Sequence, residues 1–249
     1  MKEINKTELI EILNKRFDNN YLCTGLKSVA DYEIADLFLH ETEDNYYLIK
    51  KRDDFFLADA FINKKNPKLT LLGTIILEYA FKRKKKEFID IIKSLGFQEI
   101  MTRKLMRTSA NGENLPFTIL NKSFLGEVLC EIKASFDMYY GSIPAETELS
   151  KRFNNGEVIG LLDGENLMGF VEFSQTQSSL RIEHIAVCEK YRGLGKSKDL
   201  IKSLFGVAKA KNIPFVELFV NANNDIARKL YEKMGFKEDK LETIVFRRD

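Results

Sequence analysis

Apolar residues recur along this chain at two spacings, and the alternation between them predicts most of its elements. The first twenty residues are amphipathic at helical spacing. Tyr46–Lys50 and Phe55–Ile62 are predicted strands, joined at Lys51-Arg52-Asp53-Asp54 as a hairpin. Leu69–Leu77 is predicted as a third strand, Glu87–Leu95 as a short helix stopped by Gly96, and Glu99–Met106 as a strand. Thr108-Ser109-Ala110-Asn111-Gly112-Glu113-Asn114 has linker composition. Beyond it come a long helix over Lys122–Tyr140, a second over Glu146–Phe153, and a hairpin of Val158–Leu162 with Leu167–Ser174. Arg181–Val187 continues that sheet, and Phe215–Val220 is an apolar run suited to a buried strand. Asn223, Asn224 and Asp225 then cap a helix carrying Ile226, Ala227, Leu230, Tyr231 and Met234, and Gly235 ends it.

One pattern occurs twice. Ile91-Ile92-Lys93-Ser94-Leu95-Gly96-Phe97-Gln98-Glu99 is similar to Leu230-Tyr231-Glu232-Lys233-Met234-Gly235-Phe236-Lys237-Glu238. Each copy ends a helix and precedes a strand. This predicts two related modules, although helix–Gly–Phe–strand is also a common run in mixed proteins.

The chemistry concentrates between the strand at Arg181 and the helix after it. Tyr191-Arg192-Gly193-Leu194-Gly195-Lys196-Ser197 is a glycine turn leading into an amphipathic helix. Glycines let backbone approach a ligand closely, and the first amides of a helix have no partner within it. Such a turn favours a phosphate, with about 0.3–1 kcal/mol added by the helix dipole.

Strand, glycine loop, helix, strand, then a helix carrying Asn224-x-x-Ala227 and Leu230-Tyr231 before Gly235-Phe236, resembles the GNAT (GCN5-related N-acetyltransferase) superfamily over about residues 115–249. The family's loop reads Arg/Gln-x-x-Gly-x-Gly/Ala; here it is Arg192-x-x-Gly195-x-Ser197, so the last position departs. Ser is small and suits a helix start, and the departure leaves a larger acyl donor or weaker coenzyme binding open. The resemblance implies an α/β (α+β) fold with a mixed, mostly antiparallel sheet flanked by helices. The expected domains are 115–249, the acetyltransferase domain, and 1–110, a smaller α/β domain of degenerate GNAT type without the coenzyme loop.

It also implies acetyl-CoA as cosubstrate, bound where two parallel strands splay. Ile185, Ala186 and Val187 would offer backbone to the pantetheine arm, and the amides of Arg192, Gly193, Leu194, Gly195, Lys196 and Ser197 would hold the pyrophosphate. Asn224 would bond the arm, or serve only as helix cap. Tyr231 would donate a proton or hydrogen bond to the departing thiolate; by spacing alone it is a core tyrosine. Glu183, two residues before Ile185, is the candidate base, with Glu172 second. Either carboxylate could instead face solvent or balance a cationic substrate. His184 points away from that cleft unless a bulge intervenes. Together with Asp137, Glu146 and Glu148, the two glutamates suggest an acidic cleft for a small-molecule amine. Cys188 lies beside the loop, but the family transfers the acyl group directly. A coenzyme-binding module without turnover is the alternative.

Bulk properties narrow this only slightly. The net charge is +2, with 20 basic against 18 acidic residues before position 115 and 19 against 19 after it. Neither nucleic acid nor a membrane surface is therefore an expected partner. The basic run Lys82-Arg83-Lys84-Lys85-Lys86 has no interleaved aromatics and reads as a solvated turn. Cys23, Cys130 and Cys188 are scattered, with neither metal nor disulfide spacing. No metal is expected. The charged start Met1-Lys2-Glu3 lacks a signal-peptide core, and the longest nearly apolar run, Leu69–Phe81, is too short to span a bilayer. A cytoplasmic location is the expectation.

Overall fold

A computed structural model describes residues 1–25, 29, 32–84 and 86–249. The chain divides into two compact units, Met1–Arg103 with Lys240–Asp249, and Lys104–Asp239.

The first unit holds β1 (Lys2–Glu3), α1 (Lys6–Asn14), β2 (Tyr21–Cys23), β3 (Leu37–Thr42), β4 (Asn45–Lys51), β5 (Phe56–Asn63), β6 (Ile75–Phe81), α2 (Lys86–Ser94) and the start of β7 (Gln98–Ser109). Asn5 caps α1 by accepting from the Glu8 amide, while the Glu8 carboxylate accepts from the Asn5 amide. The predicted hairpin forms, with Tyr46 opposite Phe61 and Lys51 opposite Phe56. The strand expected over Leu69–Leu77 instead starts at Ile75. Leu69 and Leu71 are buried in the same core as Ile75 and Leu77, so the apolar run records burial rather than a ladder. No strand is predicted at β3, whose Leu37 and Leu39 are buried under α1. Lys82, Arg83 and Lys84 are exposed before α2; Lys85 lies outside the described residues.

Neighbouring strands here run β1-β3-β4-β5-β6. All these pairs are antiparallel except β5 with β6, which pair in parallel only from Phe56–Ala58 to Ile75–Leu77. The end of the chain returns to this unit, where Glu242–Arg248 lie antiparallel to β6.

The second unit contains β8 (Thr118–Ile119), α3 (Leu125–Ser135), α4 (Glu146–Asn154), β9 (Val158–Asp163), β10 (Asn166–Gln175), β11 (Ser179–Val187), α5 (Lys196–Ala210), β12 (Phe215–Asn221), α6 (Asp225–Lys233) and the start of β13 (Lys237–Arg248). The helix expected over Lys122–Tyr140 is shorter. A 3₁₀ turn at Lys122–Phe124 precedes α3, which stops as Phe136 turns extended and sets its ring edge-on to His184. Strands β8, β9, β10 and β11 are antiparallel neighbours, and β12 joins β11 in parallel.

The sheet of this unit has a core on each face. Leu200, Ile201, Leu204 and Phe205 of α5 pack on Val171, Phe173, Leu180 and Ile182, joined by Tyr231 of α6. Val128 and Ile132 of α3 and Leu149 and Phe153 of α4 pack on Val158, Phe170 and Ala186 from the other side. Burying such side chains stabilises the unit by about 1.5–3 kcal/mol each. No helix among the described residues is long and apolar enough to cross a membrane.

Candidate active site

The parallel pairing of β11 with β12 runs from Ser179↔Phe215 to Ile182↔Leu218 and stops, although the strands continue to Val187 and Asn221. Beyond Ile182 the two strands form a fork. Ile185, Ala186 and Val187 lie on one arm, still paired to β10 on their other side through Val171, Phe170 and Gly169. Backbone freed in this way can take an added extended segment.

At the end of that arm the chain enters the glycine loop. Gly193 and Gly195 have φ of 78° and 74°, conformations that L side chains rarely adopt, and a Cβ on either would meet only open space. The amides of Gly193, Leu194, Gly195, Lys196 and Ser197 find no partner among the described residues. Five unpaired donors thus stand together at the start of a fifteen-residue helix, an arrangement that favours an anion. The expectation fails for the sixth: the Arg192 amide donates to Glu189 O, and its Nε to Val187 O. Arg192 therefore anchors the loop to the strand end.

A bulge at the fork decides where the titratable groups face. The register of β10 on β11 slips between Glu172↔His184 and Phe173↔Ile182, leaving Glu183 without a partner. Ile182 packs toward α5 and so do Ile185 and Val187, whereas Ala186 packs toward α3. Glu183 and His184 thus both turn to the α3 side. Glu183 does not share the face of Ile185, as strict alternation would require. It is exposed, and its Oε1 accepts from Ser174 Oγ at 2.5 Å.

His184 is only 3% exposed. Its Nδ1 lies 2.6 Å from Glu172 Oε2 and its Nε2 lies 2.8 Å from Gly141 O. Both neighbours can accept, so the protonated ring can donate at both nitrogens. Burial opposes that charge, but the Glu172 carboxylate and the Gly141 carbonyl outweigh it and raise the pKa. Glu172, also 3% exposed, has Arg152 Nε 3.7 Å from its other oxygen. It thus sits in a buried charged cluster with His184 and Arg152. Of the other carboxylates expected in an acidic cleft, Asp137 accepts from the Tyr139 amide and Glu148 from the Ala145 amide.

Tyr231 lies in the core that also holds Leu218 and Val220 of one fork arm and touches Ile185 and Val187 of the other. Its hydroxyl has no hydrogen-bond partner among the described residues, and burial pushes its pKa up to about 12. It stays protonated at neutral pH and keeps an O–H to donate. Asn224 Oδ1 accepts from the Ala227 amide at 3.0 Å, so the cap role is real and only its amide nitrogen remains for a ligand. Burial, the main cause, pushes the Cys188 thiol up to about 11, which leaves little thiolate at neutral pH.

The first unit repeats the fork and fills it. Beyond Ala58, β5 pairs with β2, and Thr24 sits between the diverging strands. Thr24 N donates to Ala60 O, its Oγ1 accepts from the Ala60 amide, and its carbonyl accepts from the Ala80 amide. Residues 21–24 thus occupy what the second unit leaves open. The two units also share the helix–glycine–strand ending, with Gly96 and Gly235 at φ of 89° and 85°. Sequence reading missed the plug because nothing local distinguishes Thr24 from any loop threonine.

The chain is similar to known proteins of one family. The Acetyltransferase (GNAT) family model matches residues 127–236. An N-alpha-acetyltransferase of Sulfurisphaera tokodaii is 30% identical over 169 residues, covering 66% of this chain and 89% of the relative. Two solved structures share the fold. One is an acetyltransferase from the GNAT family from Colwellia psychrerythraea, with TM-score 0.59, 13% identity, and coverage of 100% of this chain and 99% of that one. The other is a tandem GNAT protein from the clavulanic acid biosynthesis pathway, with TM-score 0.63, 9% identity, and coverage of 97% and 94%.

Proposed function

Because the chain belongs to the GNAT acetyltransferase family, with two GNAT-like units, we propose that its second unit moves an acetyl group from acetyl-CoA to a primary amine of a small molecule. The observation that carries this reading is the open fork beside five unpaired loop amides. The loop amides would hold the pyrophosphate, and the Glu183–Val187 arm would pair with the pantetheine. Acetyl-CoA supplies the activated acyl group. Direct attack in a ternary complex needs both reactants held together, and good orientation is worth effective molarities up to about 10⁵–10⁸ M.

Glu183 would take the amine proton, directly or through water, with Ser174 fixing one carboxylate oxygen. Tyr231 would donate a hydrogen bond to the sulfur as it leaves. Full proton transfer from a hydroxyl of pKa about 12 to a thiolate of pKa about 8.5 lies about 5 kcal/mol uphill. A hydrogen bond avoids that cost, and solvent completes protonation. The α-amine in the name of the Sulfurisphaera relative is one kind of primary amine, consistent with this chemistry.

The test is thiol release from acetyl-CoA with a panel of amines, alongside calorimetry with CoA. Tyr231→Phe should lower turnover by about 10²–10⁴ and spare CoA affinity. Unchanged turnover would remove Tyr231 from the reaction. CoA binding without thiol release for any amine would favour a non-catalytic acyl-CoA-binding module.

A further inference from the structure

Glu217, on β12, is 2% exposed and carries two arginines. Arg107 Nε and Nη2 donate to its Oε2 at 3.1 and 2.8 Å, and Arg181 Nε and Nη2 donate to its Oε1 at 3.0 and 2.7 Å. Both arginine side chains remain more than a third exposed. Each guanidinium turns one edge to the carboxylate, and Nη1 of each makes no hydrogen bond to a described residue. The cluster therefore carries a net +1, with outward donors from two planar forks. The rings of Phe215 and Phe219 lie 5.0 and 5.6 Å from the two guanidinium carbons.

Its position gives the cluster meaning. Arg181↔Glu217 is the pair just before the last one that closes the fork. Arg181 is also opposite Ser174, whose hydroxyl holds Glu183. The exposed Glu183 carboxylate and the two partly exposed arginines thus stand on one face of the sheet.

Resting on the acetyltransfer reading above, we propose that Arg107 and Arg181 select the acceptor: a small molecule bearing a carboxylate or phosphate a few bonds from its amine. The amine sits at Glu183 and the anion takes the outward Nη1 donors. Arginine suits this because its fork matches an oxyanion and it stays charged when partly desolvated. Glu217 holds both guanidiniums in place and prevents their mutual repulsion from opening the site. A simple alkylamine would find no partner for the arginines and would gain less binding.

Matched pairs of acceptors test this by thiol release: tyrosine against tyramine, tryptophan against tryptamine, and phosphoethanolamine against ethanolamine. The anionic member of at least one pair should show about ten- to a hundredfold higher kcat/KM, the range for a hydrogen bond to a charged group. The first two pairs report a carboxylate and the third a phosphate. Arg181→Gln should remove that preference, but it also weakens the partnership of a buried carboxylate. Arg181→Lys and Arg107→Lys keep the charge and lose the fork. They should lower kcat/KM for the anionic member about tenfold more than for its partner, with melting temperature held. Equal use of both members in every pair, preference for the uncharged amines, or equal loss on both members in the lysine variants would overturn the assignment. Absence of thiol release with every acceptor, despite CoA binding, would instead defeat the transfer reading on which it rests.

Discussion

Replacing His184 by Ala gives the sharpest test of the buried ion pair. The variant removes a ring whose two nitrogens meet Glu172 and the Gly141 carbonyl. Glu172 is then left 3% exposed, with Arg152 at 3.7 Å as its remaining cation. Removing one partner of a buried pair costs about 3–5 kcal/mol, because the other charge stays uncompensated. That is a large share of a typical total of about 5–15 kcal/mol. At roughly 2–4 °C per kcal/mol for a protein of this size, the melting temperature should fall by about 6–20 °C by scanning calorimetry. Replacing both members, His184→Leu with Glu172→Leu, removes the stranded charge and should recover most of the loss. The pair also sets a pH dependence. The folded-state pKa of His184 is raised, chiefly by Glu172 against the opposing effect of burial. Its contribution is therefore complete below the ordinary histidine value near 6.5 and declines as pH rises through the folded value. The gap between wild type and His184→Ala should be widest near pH 6 and narrow on the alkaline side. A double variant as unstable as the single one, or a gap that widens with pH, would refute the imidazolium.

Other outcomes follow from the same geometry. Calorimetric titration with CoA should give one site per chain, since Thr24 bridges the fork of the first unit; two equivalent sites would contradict the plug. Gly195→Val places a β-branched residue at φ of 74° in the loop and should weaken CoA binding about tenfold or more, with the second unit still folded. Cys188→Ser should keep full turnover, because a thiol with its pKa near 11 supplies no acyl carrier at pH 7; loss of activity would reopen a covalent step.

What the sequence by itself determined is local. The glycine loop, the capped helix carrying Tyr231 and the hairpins are written in residues within a few positions of one another, where turn chemistry and helical spacing act. The repeated helix–Gly–Phe–strand run was legible for the same reason, and it marked the second GNAT-like unit. The tertiary structure decided the rest, since strand neighbours come from distant parts of the chain. The one-residue bulge at Glu183 depends on the register of β10 and turned both Glu183 and His184 to the α3 side. The partner of His184 is a carbonyl 43 residues away, and Glu217 takes Arg107 from 110 residues away. Thr24 closes one fork through Ala60 and Ala80. No spacing rule foretells such meetings. They follow from which strands pair and in what register, which the whole core settles at once.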